Sequence, residues 1–172
     1  LTALGFLVYY GIGAAATILV SGAHSKGNHK QVRHTVGIAL ILAEAVALLV
    51  LVGLILGRHY LGYIFSDDPG IIAMTALAIL PMALYQPADA LQVIYSNALR
   101  GMEDVKHMAL YACGVHLIIA PALCLLFGFG LGLEGGGIQL TAVWSAFPVS
   151  LLLLGFLLKR RFDRISIPRS RS

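Results

Sequence analysis

Apolar residues run along this chain in long unbroken stretches, with only short polar breaks between them. Five stretches are long enough to cross about 30 Å of hydrocarbon as helices. They extend approximately from Thr2 to Ala23, Thr35 to Leu56, Ile71 to Ala98, Met108 to Phe127 and Ile138 to Leu158. Continuous runs predict helices and not the alternating strands of a membrane barrel. The fold class expected is therefore all-α: a polytopic membrane protein with a helical lobe over residues 1–158 and a basic tail over 159–172. The breaks leave no room for a soluble domain. Ser66-Asp67-Asp68-Pro69 predicts a helix start, with Asp68 as cap and Pro69 as first helical residue. Gly57 and Gly101 read as stops. Gly11, Gly13, Ala14, Ala15 and Ala16 give the first helix a small face for close packing.

Composition agrees with the pattern. Hydrophobic residues make up 59% of the chain and charged residues 12%, against about 25% charged in soluble domains. Mean hydropathy is +0.87. The net charge of +4 matters less than where the charges lie. Eleven of the twelve Lys and Arg residues fall in the first break, the third break and the tail; Arg58 alone lies on the opposite side. By the positive-inside rule those three segments are cytoplasmic. The expected location is the cell inner membrane, multi-pass, with a cytoplasmic tail. The chain then begins on the outer side, inside an apolar run and without Met, so we expect it to be a piece of a longer protein. No basic stripe with interleaved aromatics supports a nucleic-acid partner.

Charge inside the spans changes the picture most. Asp89 sits mid-span, ten residues before Leu99, or about 15 Å along a helix and close to the bilayer midplane. Carboxylates at that depth are costly and mark pathways. On a helical wheel Tyr85, Gln86, Asp89, Gln92, Val93 and Ser96 share one side, a polar stripe that has to face protein or water. Pro81 and Pro87 withdraw hydrogen bonds from the carbonyls of Leu77 and Ala83. They predict a bend near Asp89, and carbonyls freed in this way can help ligate a cation. The alternative is a packed kink with a protonated, hydrogen-bonded Asp89.

Glu44 is the second acid within a span. It reads as a proton carrier or second cation ligand, or as a protonated acid bonded across a helix interface. His116, also mid-span, could shuttle a proton, although an interhelical hydrogen bond is the simpler expectation. Cys113 and Cys124 are core filler, and most of the tyrosines are packing or interfacial residues. No nucleophile–base pair, phosphate loop or metal-ligand spacing supports an enzyme.

Gln86-x-x-Asp89-x-x-Gln92, followed by Asn97-Ala98-Leu99-Arg100-Gly101-x-x-Asp104, resembles the MATE family of multidrug and toxic compound extrusion transporters, in particular its NorM-like branch. Val20-Ser21-Gly22-Ala23-His24-Ser25-Lys26-Gly27-Asn28 with Arg33 is similar to a cytoplasmic loop of that family. Phe65-Ser66-Asp67-Asp68 resembles its outer turn, and Pro121 and Trp144-Ser145-Ala146-Phe147-Pro148 have counterparts. The chain departs from the family pattern at Ser21, where Gly is usual, and at Tyr111-Ala112.

The resemblance implies that the five spans are the last five of twelve, forming most of the C-terminal lobe of a two-lobe transporter. The partners would be the N-terminal lobe of the same protein, membrane lipid and a small organic substrate. It implies a secondary antiporter that exports organic, often cationic, compounds against Na⁺ or H⁺, with no other cofactor. Asp89 would be the cation-coupling residue, and a metal ligand only if the ion is Na⁺. Gln86, Gln92, Tyr85 and Ser96 would support it or line the cavity. Two alternatives stand beside this: a lipid-linked oligosaccharide flippase of related architecture, and a non-transporting membrane scaffold in which Asp89 is packed and dry.

Overall fold

A computed structural model describes residues 2–132 and 135–167, with the side chains of residues 2–4 left out. The outermost residues of the tail, from Pro168 on, lie outside the described part. Among the described residues every regular element is helical. They are α1 (Thr2–Ser25), α2 (His29–Leu61), a 3₁₀ turn (Gly62–Ile64), α3 (Pro69–Gly101), α4 (Val105–Gly114), α5 (Ala120–Leu125) and α6 (Gly136–Ser166). π-helical turns at Val115–Ile119 and Leu126–Gly130 join α4 and α5 into one span, Val105–Gly130. Five helical segments are thus long and apolar enough to cross a membrane.

Local chemistry sets the ends. Gly27, at φ 67°, closes α1 in the left-handed conformation that glycine adopts without strain. Asn28 then opens α2 by accepting from the Gln31 backbone N–H at 3.0 Å. Asp68 caps α3, accepting from Gly70 N at 2.7 Å and Ile71 N at 3.2 Å with Pro69 behind it, as the sequence predicts. Two ends differ from expectation. α2 runs four residues past Gly57 to Leu61, because one glycine costs a helix only about 1 kcal/mol. α3 includes Gly101, and the left-handed residue that turns the chain is Glu103, at φ 62°. The basic segment from Lys159 is also not a separate tail at its start, since α6 continues to Ser166.

α3 is the centre of the lobe and packs against α1, α2 and α6. The interior is made of small residues: Ala43, Ala47, Ala83, Ala88, Ala90 and Ala98 are fully buried. Ile18, Leu49, Leu56 and Leu117 are more than 70% exposed. That inversion of a soluble protein suits helices solvated by lipid, where close backbone approach drives packing. Of the small face expected on α1, Gly13 and Ala16 are buried, whereas Gly11 faces outward with nothing within 4 Å of where a Cβ would lie. A Cβ on Gly13 would meet Asn97 Nδ2 at 2.5 Å, and one on Gly101 would meet the Thr17 carbonyl at 2.7 Å. Gly101 is therefore a close-approach residue more than a helix stop.

The basic ends of the helices are fastened by one carboxylate. Asp104, between α3 and α4, accepts from Arg161 Nε at 2.5 Å and Nη2 at 3.1 Å, and lies 2.6 Å from His107 Nδ1. Arg161 belongs to α6, so this fork ties the α3–α4 turn to the far end of the chain. Burial pushes the Asp104 carboxyl up. The hydrogen bonds from Arg161 and His107, and the pull of both cations, outweigh it and hold the carboxyl below its ordinary value.

Two outcomes are expected. Gly101→Ala should lower stability by about 1–3 kcal/mol, because the Thr17 carbonyl is backbone and cannot step aside. Gly53→Ala, with open space around it, should leave stability unchanged or slightly raised; thermal melts in detergent compare the two. A carboxyl whose folded pKa is depressed contributes fully above its ordinary value, about 4, and loses the contribution as pH falls through the lowered folded value. Arg161→Gln should therefore melt lower than wild type near neutral pH. The two melting curves should converge on acidification below that lowered value.

Candidate functional site in the buried seam of α3

The residues of the predicted stripe lie where α3 meets its neighbours. Gln86 is fully buried, Asp89 is 3% exposed, and Val93 and Ser96 are buried as well. Tyr85 and Gln92 are half-buried. The helix is continuous through Pro81 and Pro87, so the prolines leave carbonyls without donors but do not break it.

Gln86, Gln92 and Ser96 each have a partner. Tyr9 of α1 donates from its hydroxyl to Gln86 Oε1 at 2.9 Å, and both groups are buried. Gly5 permits this: a Cβ there would collide with the Tyr9 hydroxyl and sit 2.6 Å from Gln86 Oε1. Gln92 Nε2 donates to Ser96 Oγ at 3.1 Å along the same helix. One turn further on, Asn97 donates to the Val93 carbonyl at 2.9 Å and accepts from Thr17 Oγ1 at 3.1 Å and Arg100 Nη1 at 3.2 Å. Thr17 also reaches the Asn97 carbonyl at 3.0 Å. A polar seam of Tyr9–Gln86 and Thr17–Asn97 thus runs between α1 and α3.

Asp89 differs. Its Oδ2 is buried and makes no hydrogen bond among the described residues. The Tyr85 hydroxyl, one turn before it, acts on the carboxyl as a hydrogen-bonding neighbour, and Tyr9 is within electrostatic reach from α1. Glu44 is half-buried on α2, and Tyr9 is within its reach also. Tyr9 is thus within electrostatic reach of both membrane acids, which lie on different helices. No cluster of three or more metal-ligating side chains is found among the described residues.

Three expectations change. At 3% exposure Asp89 does not line an open cavity in this conformation, and Gln86 faces α1 instead of a cleft. His116 is exposed, within the π-helical turn Val115–Ile119, and finds no interhelical partner among the described residues. Tyr9, Thr17 and Asn97 carry the seam, yet the sequence stripe did not contain them. Tyr9 and Thr17, eight residues apart on the small face of α1, were the signal available.

Tyr9→Phe should cost about 1–3 kcal/mol, because the Gln86 amide oxygen is left buried without its donor. Tyr10→Phe, at an exposed position, should fall within about 0.5 kcal/mol of wild type. Thermal unfolding of the two variants side by side checks this.

Comparison with known proteins places these features in a family. The MatE family model matches residues 1–133. A protein called probable multidrug resistance protein NorM from Bradyrhizobium diazoefficiens is 34% identical over 171 residues, covering 96% of this chain and 35% of that protein. The Arabidopsis thaliana protein DETOXIFICATION 17 is 34% identical over 144 residues, covering 84% of this chain and 30% of that one. The crystal structure of the eukaryotic MATE transporter AtDTX14 superposes with a TM-score of 0.71 at 21% identity, over 95% of this chain and 38% of that chain. The chain spans about a third of the length of the curated relatives it matches. With a family model across most of its length and a five-span helical fold shared with a MATE transporter, this chain belongs to the MatE family.

Proposed function

We propose that this chain is part of a secondary antiporter that exports organic, often cationic, compounds in exchange for Na⁺ or H⁺, with Asp89 as the residue that binds and releases the coupling ion. The observation that carries this reading is the buried Oδ2 of Asp89, left without a partner in a seam where its neighbours Gln86, Ser96 and Asn97 are matched. A carboxylate held this way is a poor packing element and a good acceptor for a proton or a small cation. The names of the relatives, which include probable multidrug resistance protein NorM, support export of drug-like compounds.

The residues around Asp89 have separate tasks in this scheme. Gln86, locked to Tyr9, holds the register of α3 against α1. Tyr85 and Tyr9 present hydroxyl groups near the carboxylate. Pro81 and Pro87 leave carbonyls one turn back without donors, so α3 can flex there at less cost than a fully bonded helix. Glu44, beyond Tyr9, is a second acid through which a proton or cation could approach. In this reading the protein sits in the inner membrane with the Arg100 and Arg161 ends of its helices in the cytoplasm, which the distribution of Lys and Arg supports.

Burial of Asp89 in this conformation means that transport needs a second one in which it meets water, as alternating access between two lobes provides. In the intact transporter, Asp89→Asn should abolish ion-coupled efflux of a fluorescent cation while the protein remains in the membrane. Separate Na⁺ and pH gradients across vesicles identify the ion. A hydrophobic carbodiimide should modify Asp89, and the coupling ion should protect it. Coupled efflux retained by the Asn variant would sink the role; modification indifferent to ion and substrate would favour a scaffold.

A further inference from the structure

Four basic side chains project from the last turns of α6 among the described residues, and the fold gives them different surroundings. Arg161 turns inward to Asp104. Lys159 is bonded to Asp163, one turn on, at 2.7 Å. Arg160 and Arg164 also lie one turn apart, are both exposed, and form no ion pair with any carboxylate among the described residues. They continue a line of the helix that begins with Leu152 and Phe156, which are 51% and 58% exposed. One face of α6 therefore passes, within three turns, from uncovered apolar surface to two guanidinium groups. A shallow depression of about 390 Å³ lies at that transition, walled by Phe156, Lys159, Arg160, Asp163, Arg164 and Ile167.

This succession has a specific complement. A glycerophospholipid places acyl chains against apolar side chains and, a few ångströms further out, a phosphodiester against cations. Guanidinium groups grip phosphate oxygens two at a time, and each Lys or Arg close to an anionic leaflet strengthens attachment. A zwitterionic headgroup brings its own cation into the same space, so the match favours a lipid with net negative charge. We propose that the Arg160–Arg164 face of α6 is a binding site for an anionic phospholipid of the cytoplasmic leaflet, with Phe156 and Leu152 against its acyl chains. The assignment rests on the membrane orientation proposed above and not on the role of Asp89. Its readout is lipid composition and not transport, so either idea can fail alone.

The test uses the intact transporter in nanodiscs of phosphatidylethanolamine with a minor fraction of phosphatidylglycerol. Lipids that remain with the protein after mild delipidation are counted by mass spectrometry. Wild type should retain phosphatidylglycerol above its bulk fraction. The enrichment should fall by about fivefold for each charge removed, in R160Q, R164Q and the double variant. R160K/R164K should restore most of it, and a large excess of soluble glycerol phosphate should not displace the lipid. Both positions are exposed, and the single variants carry the test if the double one is not recovered. Unchanged enrichment in the Gln variants would overturn the site; displacement by glycerol phosphate would overturn its assignment to a lipid.

Discussion

Inside a bilayer a polar side chain has to find its partner within the protein, and that requirement organises this chain around α3. Lipid supplies no donors or acceptors, so Gln86, Gln92, Ser96 and Asn97 of α3 find their partners in α1 or in α3 itself. The price is proximity. Tyr9 reaches Gln86 only because Gly5 has no side chain, and Thr17 reaches Asn97 only because Gly13 has none. Glycine on α1 and amide on α3 are two halves of one device. Together they fix both the distance and the rotation of the helix pair.

Much of this was legible in the sequence, and the reasons differ by element. The spans are readable because a helix in hydrocarbon needs about 20 apolar residues, and few other arrangements use them. Asp68 and Pro69 were readable because capping is local. Residues up to three apart decide it, and all of them are in view. Asp89 and Gln86 were readable because polarity at membrane depth is anomalous wherever it occurs. Tyr9 and Thr17 were not. A tyrosine among apolar residues is ambiguous until its hydroxyl has a partner, and that partner lies 77 residues away. The same holds for Arg161, one of a run of basic residues near the chain end that differs from Arg160 only in what it faces. His116 was read from its mid-span position alone, and which way a side chain faces at a π-helical turn is not visible in that position.

The two ends of the bundle are built on different principles. At one end a Cβ added to Gly137 would lie 3.2 Å from the Met74 side chain, so the contact between α6 and α3 there is apolar and close. At the other, Arg161 reaches Asp104 through a charged fork at the surface of the membrane. Charged pairs are inexpensive where water is near and costly where it is not. The charged fastening therefore belongs at the basic end, outside the hydrocarbon, and the midplane is left to amides, hydroxyls and one carboxylate.

That carboxylate is the point at which the logic of the seam is suspended. On the polar face Gln86 is tied to α1 through Tyr9 and Asn97 through Thr17, while the Asp89 Oδ2 has no hydrogen bond to lose. If α3 rocks between two states, as the proposed antiport requires, a seam that holds register on either side of a free acceptor serves it better than a uniformly bonded one. With Gln86 fixed to α1 on one side and Asn97 on the other, a proton or cation arriving at Asp89 in the proposed transport cycle would act at a buried carboxylate oxygen that has no hydrogen bond among the described residues. Its charge then alters the balance between a buried and a water-facing carboxylate directly, because no competing hydrogen bond at Oδ2 has to be displaced first. Under the proposed role of Asp89, ion binding and helix position would be linked through one oxygen atom.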